Sequence, residues 1–361
     1  MIRLGLSWFE GQVRKKFQEE RNMNNTQSIK FRNFANTECK GSSGLYEFLS
    51  LQIADDDELL ELASHARSGQ PSSNLLFGAV HYLLLKGKNH QLQDFYQSMT
   101  KNPRKVEESF LPFKEFCSQY SNEIIPLLQE KLVQTNEVRR CSYLFPAFQS
   151  IYHIVKKPLA LIEIGSSAGL QLLWDQYSYS YGTGAVFGNR ESNLHIKAEI
   201  KGDNTPTLQD FIPPVSERIG IDLHPIDLTD DENVLWLKAL IWPEHHERHE
   251  LFEKAAEIVK ANEIRLIKGN GVEMLDELSR EVSSEYAICV FHTHVANQMP
   301  TEVRNRLLDK VTQIGSEREI FHLYNNIQDR DLHLDYYLDG KEYKHVVAQT
   351  EGHGKWFTWE L

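Results

Sequence analysis

The chain reads as an α/β protein in two parts: a helical N-terminal domain, then a doubly wound, mostly parallel sheet with an antiparallel C-terminal edge. Three observations predict this. Apolar residues from Phe31 to Val155 recur three and four apart, the helical period. Beyond Pro158, short continuous apolar runs alternate with helical stretches, as strands buried on both faces do. The C-terminal segment then carries turn signals, Asp339-Gly340 first among them.

Size and composition set the frame. At 361 residues the chain exceeds one ordinary core and fits two domains. Lys and Arg number 39 against 51 Asp and Glu, a formal charge of -12, which disfavours a grip on phosphate backbones, so no nucleic-acid partner is expected. The cysteines Cys39, Cys117, Cys141 and Cys289 form no CxxC pair and read as reduced, packed thiols. Glu10, Arg14 and Lys15 interrupt any signal-peptide core, and no apolar run approaches a membrane span. The expectation is a cytoplasmic protein with no membrane partner. Residues 1–30 read as an N-terminal extension, loose from Met1 to Asn22, with Met23 a plausible alternative start.

The helical domain is expected over 31–155. Pro71-Ser72-Ser73-Asn74 starts a helix through LLFGAVHYLLLKG, and Gly87 stops it. Phe110 to Leu132 continues the helical spacing, with Pro112 and Pro126 expected to interrupt it. The α/β domain is expected over 156–361. Its strands are LALIEI (159–164), RIGIDL (218–223), IRLIKG (264–269), AICVFH (287–292) and EIFHLY (319–324), with helices over 234–262 and 272–282. The alternation of Leu194, Ile196, Ala198 and Ile200 predicts an inserted hairpin at about 183–203. YYLDGKEY predicts a hairpin, and TEGHGKWFTWEL a further turn around Gly352 and Gly354.

LIEIGSSAGL, Leu161 to Leu170, joins a buried strand, a glycine turn and an apolar helix. Small residues let a backbone approach a ligand, and a helix N-terminus offers unpaired N–H groups. Three readings compete for it. A dinucleotide turn wants G-x-G-x-x-G, and only G-x-x-x-G is present. Gly165-Ser166-Ser167-Ala168-Gly169 also matches G-x-S-x-G, the nucleophile elbow, with Ser167 as nucleophile, His294 or His353 as base and Asp222 or Asp227 as orienting acid. An elbow normally follows several strands of its own sheet, whereas a helical half precedes this one. The third reading is a resemblance. Glu163-Ile164-Gly165-Ser166-Ser167-Ala168-Gly169 is similar to the first motif, acid-x-G-x-G-x-G, of the class I S-adenosylmethionine-dependent methyltransferases, with Ser167 replacing the middle glycine. The resemblance implies a Rossmann-like sheet with S-adenosylmethionine as cofactor. The turn (Glu163, Gly165, Ser166, Ser167, Gly169) would pass the methionine part, Asp222 would hold the ribose hydroxyls, and Asn270 in IKGNGVEML would border the adenine.

Other constellations add candidates. FHTHVANQ follows the fourth strand, where open α/β sheets bind ligands. Alternation sends His292 and His294 to one side if the strand continues, making them candidate bases, with Asn297 a substrate contact. VQTNEVRRC just before the first strand offers Asn136, Glu137 and Arg140 as helix caps or ligand contacts. WPEHHERHE spaces His245 and His249 for one helix face, but further ligands are not evident and no metal is expected. GHGKWFTW sets His353 in a glycine turn that could approach the site, and alternation puts one of Trp356 and Phe357 in the core.

From Phe31 onward, the stretches SSGLYEFL, NLLFGAVHYLLLKG, VQTNEVRRCSYLFPA, LIEIGSSAGLQLLWDQYSY, RIGIDLHPIDL, LIWPEHHER and EGHGKWFTW together resemble domain-of-unknown-function family 2332 of bacteria. That resemblance implies no reaction, but it joins both halves in one functional unit. The functional expectation is an S-adenosylmethionine-dependent methyltransferase acting on a small-molecule oxygen or nitrogen. The alternatives are a non-catalytic nucleoside-binding or structural module of the same fold and, more distantly, a serine hydrolase using Ser167.

Overall fold

The structure, a computed structural model, describes residues 23–361; the loose segment expected before Met23 lies outside them. The chain divides into two compact units, one formed by residues up to Thr135 with Val234–His249, the other by Asn136–Asn233 with Glu250–Leu361.

In the first unit, residues 23–34 are helical, so the helical pattern begins ahead of Phe31. They are tied down by Ser72, whose hydroxyl donates to Gln27 Oε1 at 2.6 Å. The helices α1 (Gly44–Ile53), α2 (Asp57–Ser64), α3 (Ser72–Leu85), α4 (Phe110–Gln119) and α5 (Ser121–Glu130) follow. Side-chain caps set two starts: Ser43 Oγ accepts from Tyr46 N and Asp56 Oδ1 from Leu59 N. α3 is apolar on nearly every face and buried accordingly. Its Gly78 faces Leu240, where a Cβ would come within 2.9 Å of Cδ2. Neither Pro112 nor Pro126 breaks the chain; the break falls at Tyr120. Pro112 sits in a first turn, where a missing N–H costs nothing.

The segment 234–249 packs within this unit. Trp236 Nε1 donates to Leu132 O at 2.9 Å, and Glu244 accepts from Ser43 Oγ and Leu45 N. His245 meets Ser42 Oγ at 3.0 Å, while His249 is buried beside His81. The two rings therefore serve different neighbours, and no group of three or more metal-ligating side chains occurs among the described residues.

In the second unit α6 (Cys141–Val155) leads into β1 (Leu159–Ile164). Then come the short strands β2 (Ser178–Ser180), β3 (Phe187–Gly188), β4 (His195–Lys197) and β5 (Glu199–Ile200). β6 (Val215–Asp222) follows; α7 (Asp231–Ala239) and the start of α8 (His246–Ala261) belong largely to the first unit, and from Glu250 the chain is again in the second, through the rest of α8, β7 (Arg265–Lys268) and α9 (Gly271–Glu281). The chain ends through β8 (Ala287–His292), α10 (Thr301–Glu317), β9 (Ile320–Tyr324), β10 (Leu332–Leu338), β11 (Lys341–Ala348) and β12 (Trp356–Phe357). The expected continuous helix over 234–262 is interrupted between Ala239 and His246, where Pro243 lies.

A seven-stranded sheet runs in the order β11-β10-β9-β8-β1-β6-β7. β7, β6, β1, β8 and β9 are mutually parallel, and β10 and β11 add antiparallel pairings at one edge. This is a Rossmann-like arrangement, with β1 central and the order reversing between β1 and β8. Asp339 and Gly340 both take positive φ, 52° and 70°, the geometry a two-residue hairpin turn needs. One face of the sheet is packed by Ile162, Ile219 and Val290 against Leu275 of α9 and Leu307 of α10. On β8 the opposite side carries Phe291, edge-on to Phe148 of α6, which stacks on Trp174 at 4.7 Å.

Two local expectations change. The 183–203 segment does not pair with itself: β3 and β4 flank β2, and β5 pairs with β12. After the glycine turn, Leu170–Gln176 is a 3-10 segment kinked at Leu173. The continuous apolar run looks helical in sequence, but Trp174 and its neighbours are buried all round and need no helical face.

Candidate functional site

The carboxyl ends of β1 and β8 lie where the sheet order reverses, with those of β6 and β9 next on either side, the usual ligand position in open α/β sheets. The glycine turn is built from positive φ at Gly165 (75°), Ser167 (49°) and Gly169 (73°). Space is equally restrictive. A Cβ on Gly165 would lie 2.6 Å from Val295 Cγ2, and one on Gly169 would lie 2.7 Å from Ile264 Cδ1. Gly220 of β6 admits Ser166, whose Oγ would be 2.6 Å from an added Cβ. Tight packing, together with positive φ at Gly165 and Gly169, thus favours glycine at these positions. Because only a short 3-10 segment follows, the turn does not offer the α-helix N-terminus expected from the sequence.

Asp222, at the end of β6, organises the turn. Its Oδ2 accepts from Ser167 N at 2.8 Å and its Oδ1 from His224 N at 2.8 Å. Ser167 Oγ accepts from Asn136 Nδ2 at 3.1 Å. No histidine hydrogen-bonds that hydroxyl among the described residues. Asn270 caps α9, its Oδ1 accepting from Val272 N at 3.0 Å.

Several buried polar atoms here have no hydrogen-bond partner among the described residues: Glu163 Oε2, Ser166 Oγ, His294 Nε2 and Asn325 Nδ2. Native proteins rarely leave such atoms bare without a reason. Burial, reinforced by the charge of Asp222 and opposed by Arg140, pushes the Glu163 carboxyl well above the ordinary range, which favours its neutral form. Burial, with the charges of Arg140 and His353, lowers His294 to about 3. It stays neutral at physiological pH and is a weak base there.

β8 ends at His292, and the chain turns through His294, whose φ is +64° and whose N–H is held by Asn325 Oδ1 at 2.8 Å. Alternation therefore does not carry both histidines to one side. His292 is fully buried in the sheet, 3.2 Å from His322 through the two Nε2 atoms, and burial lowers it to about 3. It is remote from solvent. Asn297 is exposed, its backbone N–H closing onto His294 O.

Asn136, Glu137 and Arg140 do converge on the site. Arg140 donates from Nε to Gly352 O at 3.0 Å and from NH1 to Thr293 Oγ1 at 3.4 Å. Thr293 Oγ1 donates to Gln171 Oε1 at 3.0 Å, and Glu137 Oε2 meets His353 Nδ1 at 3.0 Å. Gln171, Thr293 and Asn325 escaped the sequence reading. Asn325 had a usable signal, since it directly follows the fifth parallel strand, where ligand groups gather.

No helix among the described residues is long and apolar enough to cross a membrane. No curated protein and no solved structure matches the chain. A family model does, over residues 28–359, a range that takes in the stretch before β1, the glycine turn and the C-terminal loop. The chain belongs to domain-of-unknown-function family 2332, described as an uncharacterized protein conserved in bacteria.

Proposed function

We propose that the second unit binds S-adenosylmethionine and transfers its methyl group to a small-molecule oxygen or nitrogen. The observation that carries this reading is the pair Glu163 and Asp222, acids at the ends of β1 and β6, flanking a turn of left-handed residues at the reversal of strand order. The donor set suits the cofactor. Glu163 Oε2 and Ser166 Oγ are buried without partners beside the turn, and Asp222 is part-exposed with one backbone N–H on each oxygen. Carboxylate oxygens keep further lone pairs for ribose hydroxyls.

On this reading Glu163, Gly165, Ser166, Ser167 and Gly169 hold the methionine part, Asp222 the ribose, and the loop at Asn270 borders the adenine. When bound, S-adenosylmethionine supplies an electrophilic methyl group. The protein's contribution is orientation of the acceptor in line with that group, together with removal of its proton. Val295, packed on Gly165, helps keep water from the turn.

Calorimetry tests the reading. S-adenosylmethionine and S-adenosylhomocysteine are expected to bind the wild-type protein, and Glu163→Ala and Asp222→Ala proteins that keep their circular dichroism are expected to lose that binding. If neither ligand binds clean wild-type protein, the reading fails. Binding with no turnover across acceptors would assign the site to a non-catalytic nucleoside-binding module instead.

A further inference from the structure

We infer that Glu137 and His353 form the acid–base dyad of this site, with His353 rather than His294 as the group that removes the acceptor's proton; this rests on the methyltransferase reading. The two lie 216 residues apart in sequence and meet at 3.0 Å through Glu137 Oε2 and His353 Nδ1. Their exposures are opposite. The Glu137 side chain is 2% exposed and that of His353 is 42% exposed. Glu137 is fixed, its Oε1 accepting from Arg139 N at 3.2 Å. An ionised carboxylate can only accept, so it selects the tautomer with the proton on Nδ1. Nε2 is left with its lone pair, and it has no hydrogen-bond partner among the described residues. This is the division of labour that orients a catalytic imidazole.

The dyad's place supports the role. Asn136, adjacent to Glu137 in the chain, donates to Ser167 of the glycine turn. Gly352, adjacent to His353, accepts from Arg140, and a Cβ on it would come within 3.8 Å of His294 Cε1. The loop is pinned again where Ser142 Oγ donates to Gly354 O at 3.0 Å. His294, by contrast, is more enclosed and beside Arg140, where a second positive charge is unwelcome.

The proton of the acceptor's O–H or N–H passes to His353 Nε2, and the pair it leaves on that atom forms the bond to the methyl carbon. The pair of the carbon–sulfur bond returns to sulfur. The sulfonium's positive charge thus ends on the His353 imidazolium, stabilised by Glu137, and the proton then leaves to solvent.

The test needs no acceptor. In ¹⁵N-histidine-labelled protein at pH 8, His353 is expected to carry its proton on Nδ1, and diethyl pyrocarbonate is expected to modify it at Nε2. Glu137→Gln removes the orienting charge and can turn an amide NH₂ toward Nδ1, favouring the other tautomer, so modification of His353, followed by mass spectrometry, should slow at least about tenfold. A proton on Nε2 in the wild-type protein, or equal rates in both, overturns the proposal. The tautomer in wild-type protein decides the matter even if Glu137→Gln does not fold. Calorimetry with S-adenosylhomocysteine on wild-type protein is the separate arm: no binding with an intact dyad signature rejects the cofactor reading and leaves the dyad standing.

Discussion

The carboxylate of Asp222 accepts the backbone N–H of Ser167 at 2.8 Å, so the acid that ends β6 holds the turn that ends β1. Ser167 is a non-glycine residue at φ +49°, a conformation it keeps only with outside support. Asn136, on its hydroxyl, supplies a second hold.

Asp222→Asn tests this relation. An amide presents one acceptor where two N–H groups now converge on two oxygens, so one donor faces an NH₂ group. The expected loss is about 1–3 kcal/mol of stability by urea titration. Weaker S-adenosylhomocysteine binding by calorimetry should accompany it. Unchanged stability would show that the carboxylate does not brace the turn.

Gly165→Ala should fail for two separable reasons. The φ of +75° costs an L-residue about 1–2 kcal/mol, and the new methyl would overlap Val295 at 2.6 Å. Only the second cost depends on Val295. In a Val295→Ala background the penalty of Gly165→Ala should shrink, leaving the backbone part. A double-mutant cycle measures that coupling, and strict additivity would contradict the packing described.

The centre of the β-sheet was readable to within a few residues because its strands there are continuous apolar runs; LALIEI and AICVFH coincide with β1 and β8. The site was readable only in pieces. Glu163, the turn and Asp222 announce themselves by spacing, but nothing local reveals that Glu137 meets a histidine 216 residues away. Period-two alternation would set His292 and His294 on one side only if the strand continued, and the strand stops at His292, with His294 left-handed. The 3-10 segment after the turn was unreadable for another reason. Leu170 to Trp174 are buried whatever the helix type, so apolar spacing carries no distinction.

Buried neutral histidines should make the protein acid-sensitive. His81 and His292 are both lowered from 6.5 to about 3, chiefly by burial. Between those values the unfolded chain binds protons that the folded protein refuses, so stability falls as pH drops. The contribution is fully present above about pH 6.5 and fades toward pH 3. Urea midpoints at pH 7 and pH 5 should differ in that direction. Replacing the coupled pair together, His292→Leu with His322→Leu, removes both partners of their 3.2 Å contact and should flatten the dependence. An unaltered pH dependence in that double variant would assign the sensitivity elsewhere.

Glu163 has the opposite sign. Its folded pKa is raised by burial and by Asp222, so the folded protein keeps a proton that the unfolded chain releases above about pH 4.5. Its stabilising share is present below that value and is lost as pH rises toward the folded pKa. Glu163→Gln keeps the shape and removes the charge that burial opposes. The variant should therefore be more stable than wild type at pH 8, and the gain should shrink toward pH 4. Function should move the other way, because a cation bound beside the turn favours ionised Glu163 and meets only a neutral amide in the variant. Wild-type protein should then release a proton on binding S-adenosylmethionine, visible as a dependence of the calorimetric heat on buffer ionisation enthalpy, and Glu163→Gln should bind more weakly without that release. A variant that is stabilised yet binds with unchanged affinity and proton release would remove Glu163 from the site while leaving its burial explained.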